Sequence, residues 1–135
     1  MAYMKATPGG GGGGGLFPAK GKALTISGFC YESTTIVDIS SSFSFSQGGT
    51  SQPVYAIGVG FIANIEDTGY TDFTTSGAQG AYAYVGYFDK DGAFISGGRN
   101  TPNGAHSIPS GTCFVVYMTN NYNNTTGGTV SVSFS

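Results

Sequence analysis

Charge is what this chain has least of. Asp, Glu, Lys and Arg make up 9% of its 135 residues, against about a quarter in ordinary soluble domains. The five basic residues form no cluster, so nothing is placed to neutralise a run of phosphates, and no nucleic-acid partner is expected. Cysteine is almost as scarce. Cys30 and Cys113 stand far apart with no C-x-x-C pair and no Cys/His group, so a zinc site lacks ligands. Two small buried thiols are expected there, and a disulfide would require the fold to bring them together. There is one histidine, His106. No stretch reaches the roughly 18 apolar residues that span a bilayer. The first ten residues lack the apolar core of a signal peptide, so cytoplasmic synthesis without processing is expected. Helical spacing of apolar residues is absent, and no internal repeat of 20–50 residues occurs.

Glycine and aromatics fill the space that charge leaves. Gly occurs 24 times, and Phe and Tyr together 19 times. That aromatic content separates the chain from disordered sequences, which are charge-rich and aromatic-poor. Seven of the glycines are consecutive, at residues 9–15. Ordering them would cost about 7–14 kcal/mol of backbone entropy, at roughly 1–2 kcal/mol each. Such a run is a solvated tether or an arm ordered only against something else. Residues 1–22 are therefore read as a flexible Gly-rich arm, and residues 23–135 as one domain. The arm holds Lys5, Lys20 and Lys22 and no acid, whereas the rest has seven acids against Lys90 and Arg99. Leu16 and Phe17, with Lys20 and Lys22, are the candidate docking residues of the arm.

The remainder alternates with period 2 in segment after segment. "ALTISGFCY" (23–31) puts Leu24, Ile26, Gly28 and Cys30 on one side. "TTIVDISSSFSFS" (34–46), "PVYAIGVGFIANI" (53–65) and "YTDFTT" (70–75) come next, the first of these carrying Ile39, Phe43 and Phe45 on one side. "GTCFVVYMT" (111–119) is apolar throughout, as a strand covered on both faces would be. "GGTVSVSFS" closes the chain with Val130, Val132 and Phe134 facing one way. Seven or eight such strands predict an all-β fold, a single antiparallel β-sandwich of jelly-roll type. The expected core is Leu24, Ile26, Ile57, Val59, Phe61, Val85, Phe114, Val116, Met118, Val130, Val132 and Phe134. Gly58, Gly60 and Gly86 are expected where aromatic rings of the facing sheet lie on the backbone.

At residues 82–118 the chain reads "YAYVGYFDKDGAFISGG" and then "IPSGTCFVVYM". An aromatic strand enters an Asp-x-Asp-Gly turn, leaves as "AFISG", and a Pro-x-Gly turn leads to a second strand. This grammar resembles the carbohydrate-binding-like β-sandwich domains of bacteriophage tail fibres, baseplate upper proteins and related virion parts. The resemblance covers about a third of the chain and is structural, not catalytic. It implies a virion protein made in the host cytoplasm, a decoration or tail-fibre accessory subunit present in many copies or as a homo-oligomer. Its partners would be other virion proteins, with a host surface glycan as the alternative ligand.

Chemistry-bearing residues are few. Asp89 and Gly92 suit the turn itself, the first accepting backbone N–H groups and the second taking positive φ. Asp89 and Asp91 echo a calcium loop, but Asn100 stands at the twelfth position where that loop needs Glu. His106 sits among turn residues with no nucleophile motif nearby, so a hydrolase is the remote alternative. "NIEDTGYTD" gathers Glu66, Asp67 and Asp72 in one loop, as a solvated acidic loop or a polar contact. "TNNYNNTTGG" (119–128) offers Tyr122 amid Asn121, Asn123 and Asn124. An aromatic ring stacking on a sugar face with amides bonding its hydroxyls is the chemistry of a glycan contact. No catalytic residue, cofactor or metal ligand is assigned.

Overall fold

The computed structural model describes residues 17–27, 33–39, 42–47, 59–119 and 128–135. Period-2 patterning becomes ten strands in two antiparallel sheets. The larger sheet contains β1 (Lys22–Ser27), β2 (Ser33–Asp38), β4 (Gly60–Asn64), β6 (Ala83–Phe88), β7 (Phe94–Asn100) and β9 (Phe114–Thr119). The smaller contains β3 (Ser42–Gln47), β5 (Asp72–Ser76), β8 (Gly104–Ser107) and β10 (Gly128–Phe134). Their orders are β2-β1-β4-β9-β6-β7 and β3-β10-β5-β8. Only the β1–β2 and β6–β7 connections stay within one sheet; every other connection crosses to the opposite one. That back-and-forth is the jelly-roll-like sandwich expected from the sequence.

Two segments differ from the sequence reading. Residues 34–46 are two strands, because the chain leaves the larger sheet at Ile39 and enters the smaller at Ser42. Inside "TPNGAHSIPSG", which reads as loop, the four residues of β8 pair with β5, Phe73 opposite His106. Four residues between two prolines are too few for alternation to show.

Aromatic rings fill the space between the sheets. Phe61 stacks on Tyr117 at 5.4 Å, and Phe43, Phe45, Phe73 and Phe134 meet it edge-on at 5.3–6.1 Å. Offset-stacked and T-shaped pairs add about 0.5–1.5 kcal/mol each beyond their buried area. Val115, Val130, Val132 and Tyr87 complete the interior.

Several expected core residues are buried elsewhere. Ile26, Val116 and Met118, with Ile62, form a second cluster, and Leu24 packs on it half-buried. They occupy the alternate positions of β1, β4 and β9, so they project from the outer face of the larger sheet. Both faces of these strands are apolar, so alternation could not say which looks inward. Phe114 is buried on that outer side too. Ile57 and Gly58 lie outside the described residues.

The glycines have causes other than facing-sheet rings. A Cβ on Gly60 would stand 1.8 Å from the Tyr117 carbonyl oxygen, so backbone presses there. Gly86 leaves room for Phe88, a ring of its own strand, at 3.0 Å.

Candidate functional site

The two outward faces of the sandwich differ in chemistry. The smaller sheet shows water a Ser/Thr lattice: Ser42, Ser44 and Ser46 on β3, Thr129, Ser131 and Ser133 on β10. The larger sheet carries hydrocarbon outward, buried at its centre (Ile26, Ile62, Val116, Met118) and exposed toward its two edges. Among the described residues three large hydrophobic side chains are exposed, Ile36 at 55%, Tyr84 at 43% and Phe94 at 64%. Their pairings with Leu24, Met118 and Phe88 put all three on this one face. Phe94 meets Phe88 edge-on at 5.7 Å across the Asp89 turn. Tyr84 meets Tyr82 at 5.4 Å, and the Arg99 guanidinium lies 4.3 Å above the Tyr82 ring. Hydrogen bonding with Tyr82, then with Arg99, holds the Tyr84 hydroxyl below its ordinary pKa.

The N-terminal segment reaches the body on this same face. Phe17 packs on Phe114, ring centroids 4.5 Å apart. The buried Asn64 clamps the residues just after Phe17. Its Nδ2 donates to the Pro18 carbonyl at 3.0 Å, and its main-chain carbonyl accepts the Gly21 N–H. Gly21 in turn accepts from Ile39 N–H. Lys20 binds Asp67 at 2.7 Å with Glu66 at 3.8 Å, and Lys22 binds Asp38. The Asp67 hydrogen bond raises the Lys20 pKa, helped by the charges of Asp67 and Glu66.

Residues 17–22, read as the end of the arm, thus contact the 23–135 domain, and Phe17, Lys20 and Lys22 are engaged within their own chain. Exposed ion pairs like these are screened by water and salt and contribute little, but they direct Lys20 to the acidic loop of residues 64–72. The acids of that loop are the missed signal. Leu16, the remaining docking candidate, lies outside the described residues.

A cleft of about 380 Å³ opens at one side of the sandwich between β7 and β8. Val85, Tyr87, Ser96, Gly98, Asn100 and Ser107 line it. Tyr87 is only 5% exposed, and burial raises its pKa. Nothing in the residue pattern marks this cleft, because its two walls are far apart along the chain.

His106 is sealed inside. Its ring stacks on Phe73 at 4.7 Å, and its Nε2 faces Thr75 Oγ1 at 3.2 Å. Thr75 and Tyr117 both donate to the Pro102 carbonyl at 2.7 Å. The Nδ1 atom is buried without a partner. A catalytic histidine needs an acid to orient it and an accessible face; this one has an aromatic wall. Burial lowers the His106 pKa and raises that of Tyr117 to about 12. The unfolded chain protonates His106 near pH 6.5 while the folded chain does not, so stability falls as pH drops below about 6.5. Above about pH 10 the unfolded Tyr117 ionises first, and stability falls again. The unfolded Cys113 thiol ionises before the folded one from about pH 9, so urea titrations should show a plateau between about pH 7 and 9, and His106→Leu should flatten its acid side.

Asp89 behaves as its turn requires. Its Oδ1 accepts from Asp91 and Ala93 N–H at 2.9 Å, and Gly92 has φ +84°. Among the described residues no three of His, Cys, Asp and Glu come together as metal ligands would. Cys113 is a half-buried free thiol, its pKa raised chiefly by burial; Cys30 lies outside the described residues. No helix among them is long and apolar enough to cross a membrane. The glycan candidates Tyr122, Asn121, Asn123 and Asn124 also lie outside the described residues, in the connection between Thr119 and Gly128. Compared with protein-family models, curated proteins and solved structures, the chain matches none.

Proposed function

We propose that this protein is a non-catalytic structural subunit of a bacteriophage virion, a decoration or tail-fibre accessory protein that docks on neighbouring subunits. The observation that carries this reading is the contrast between its two outward faces. A sheet that meets only water can carry Ser and Thr at every outward position, as β3 and β10 of the smaller sheet do. The larger sheet instead places Ile36, Tyr84 and Phe94 in solvent on one face. Tyr84 and Phe94, on neighbouring strands, form the larger exposed apolar patch, and Ile36 stands at the opposite edge of the same face; exposed apolar patches mark contact surfaces. The virion itself comes from the resemblance at residues 82–118. Phe17 brings the arm onto the same face, so arm and face would engage a neighbour together. A glycan-binding adhesin is the second reading, favoured by the Tyr82–Tyr84–Arg99 cluster, whose rings and guanidinium suit sugar stacking and hydroxyl contacts.

The test uses Ile36→Ser with Phe94→Ser. Both side chains are already more than half exposed, so the double variant should lose no more than about 1 kcal/mol of stability. Quantitative mass spectrometry of purified particles assembled with it should show roughly a tenfold loss of the chain, as removal of about 1.4 kcal/mol of docking energy would give. Undiminished incorporation would refute docking through this face.

A further inference from the structure

Strand β7 ends the larger sheet with one edge unpaired among the described residues, and β8 ends the smaller sheet in the same way. The cleft lies between these two edges. Proteins ordinarily blunt a free edge with proline, an inward charge or extreme shortness. β8 is four residues long and flanked by Pro102 and Pro109. β7 is longer and less protected: it runs for seven residues without proline, its one charge, Arg99, is folded over the Tyr82 ring, and its one irregularity is a bulge at Ile95, which leaves Ser96–Asn100 in regular register. Six of its seven residues are exposed. Alternate N–H and C=O groups along such an edge point outward, ready for another strand. Tyr87, almost wholly buried, lines the cleft beside it. Above Gly98 there is open space, with no atom within 4 Å of where a Cβ would stand.

We propose that this open side receives an extended strand formed by the glycine run, residues 9–15, of a second copy of the chain. The inference rests on the docking reading above and names the partner and the site. Seven glycines match the seven residues of β7, each spanning about 23 Å as a strand. Side chains of an ordinary strand would alternate into the cleft and meet Val85 and Tyr87. Glycine leaves that volume to backbone, whose carbonyls can accept from the Tyr87 hydroxyl, as in β-strand addition. A run whose ordering is so unfavourable thereby gains a reason: the edge would supply hydrogen bonds that offset that cost. The donor is a second copy because of reach. Phe17 is held at Phe114 on β9, three strand spacings, or about 14 Å, from a position outside β7. Crossing that distance uses about four residues of the chain's own arm, too many to leave seven glycines for pairing.

The test is made on the full-length chain. A photoreactive benzoylphenylalanine replaces Ser96, and isotopically heavy and light copies are mixed before irradiation. Heavy-to-light adducts that map to residues 9–15 are expected. Gly98→Arg, which fills the cleft, should reduce them roughly tenfold, the effect of losing about 1.4 kcal/mol of pairing. Because Gly98 has φ +149° and that variant strains the backbone, Gly11, Gly12, Gly13 and Gly14→Pro in the arm, which covers both alternations of the strand, provides a second test. It should abolish the adducts with the melting temperature unchanged, since proline removes the donors. Adducts confined to single copies, adducts outside residues 9–15, or adducts that survive the proline arm would overturn the inference. So would protection of Ser96 by an oligosaccharide without any arm adduct, which would make the cleft a carbohydrate site. Ile36→Ser, at the opposite edge of the sheet, leaves the cleft intact and judges the docking reading separately.

Discussion

Replacing Phe61 by alanine is expected to remove about 3–5 kcal/mol of stability, the cost of emptying a large ring from a packed interior. Phe61 is fully buried on β4, stacked on Tyr117 and touched edge-on by four phenylalanines from three strands of the opposite sheet. Those four rings are held by β3, β5 and β10, so none can move into the void without pulling a strand from its ladder. The loss should therefore approach the upper end of the range. For a domain of this size it corresponds to a fall in Tm on the order of 15–20 °C. Urea denaturation should show a lower midpoint with an unchanged slope. Phe94→Ala, at an exposed ring, should change stability by no more than about 0.5 kcal/mol. Equal losses at the two positions would mean that the ring cluster is not the centre of the fold.

Gly60→Ala is expected to be nearly as damaging, although it adds a single methyl group. The new Cβ would stand 1.8 Å from the Tyr117 carbonyl oxygen and 2.8 Å from the Met118 Cα. Both are backbone atoms of β9, the central partner of β4, so no side-chain rotation relieves the clash. The two strands must part where Thr119 donates to the Val59 carbonyl. The expected loss is about 3 kcal/mol, the upper end of what overpacking costs. Gly21→Ala probes the contrary case. No atom lies within 4 Å of that Cβ, so the cost there is only that of φ +76°. Urea midpoints of the two variants should differ in that order; equal midpoints would contradict the close approach of β4 and β9.

How much of this could be read from the residues depended on whether a strand had one apolar face or two. "GTVSVSF" has one, and Val130, Val132 and Phe134 point inward as its alternation says. "FVVYM" has two, and there hydrophobicity alone could not choose between Tyr117 and Met118 for the interior. The choice is made by neighbours, since Tyr117 lies level with Phe61 in the ladder while Met118 lies level with Gly60. The turn at Asp89 was legible because its chemistry is local. The contacts of residues 17–22 were not, because what holds Pro18 is Asn64, 46 residues further on. The cleft at Tyr87 was hidden for the same reason: its walls come from β6, β7 and the end of β8. Ile36, Tyr84 and Phe94 looked like ordinary strand apolars until the sheet order placed them on one outward face.

Carbene footprinting of the full-length chain, free and assembled in the particle, tests that face directly. Ile36, Tyr84 and Phe94 are expected to be labelled in the free protein and protected severalfold in the assembly. Ser131 and Ser133 on the opposite face should be labelled alike in both. Equal labelling of Ile36, Tyr84 and Phe94 in the two states, or protection centred on the Ser/Thr face, would contradict docking through the larger sheet.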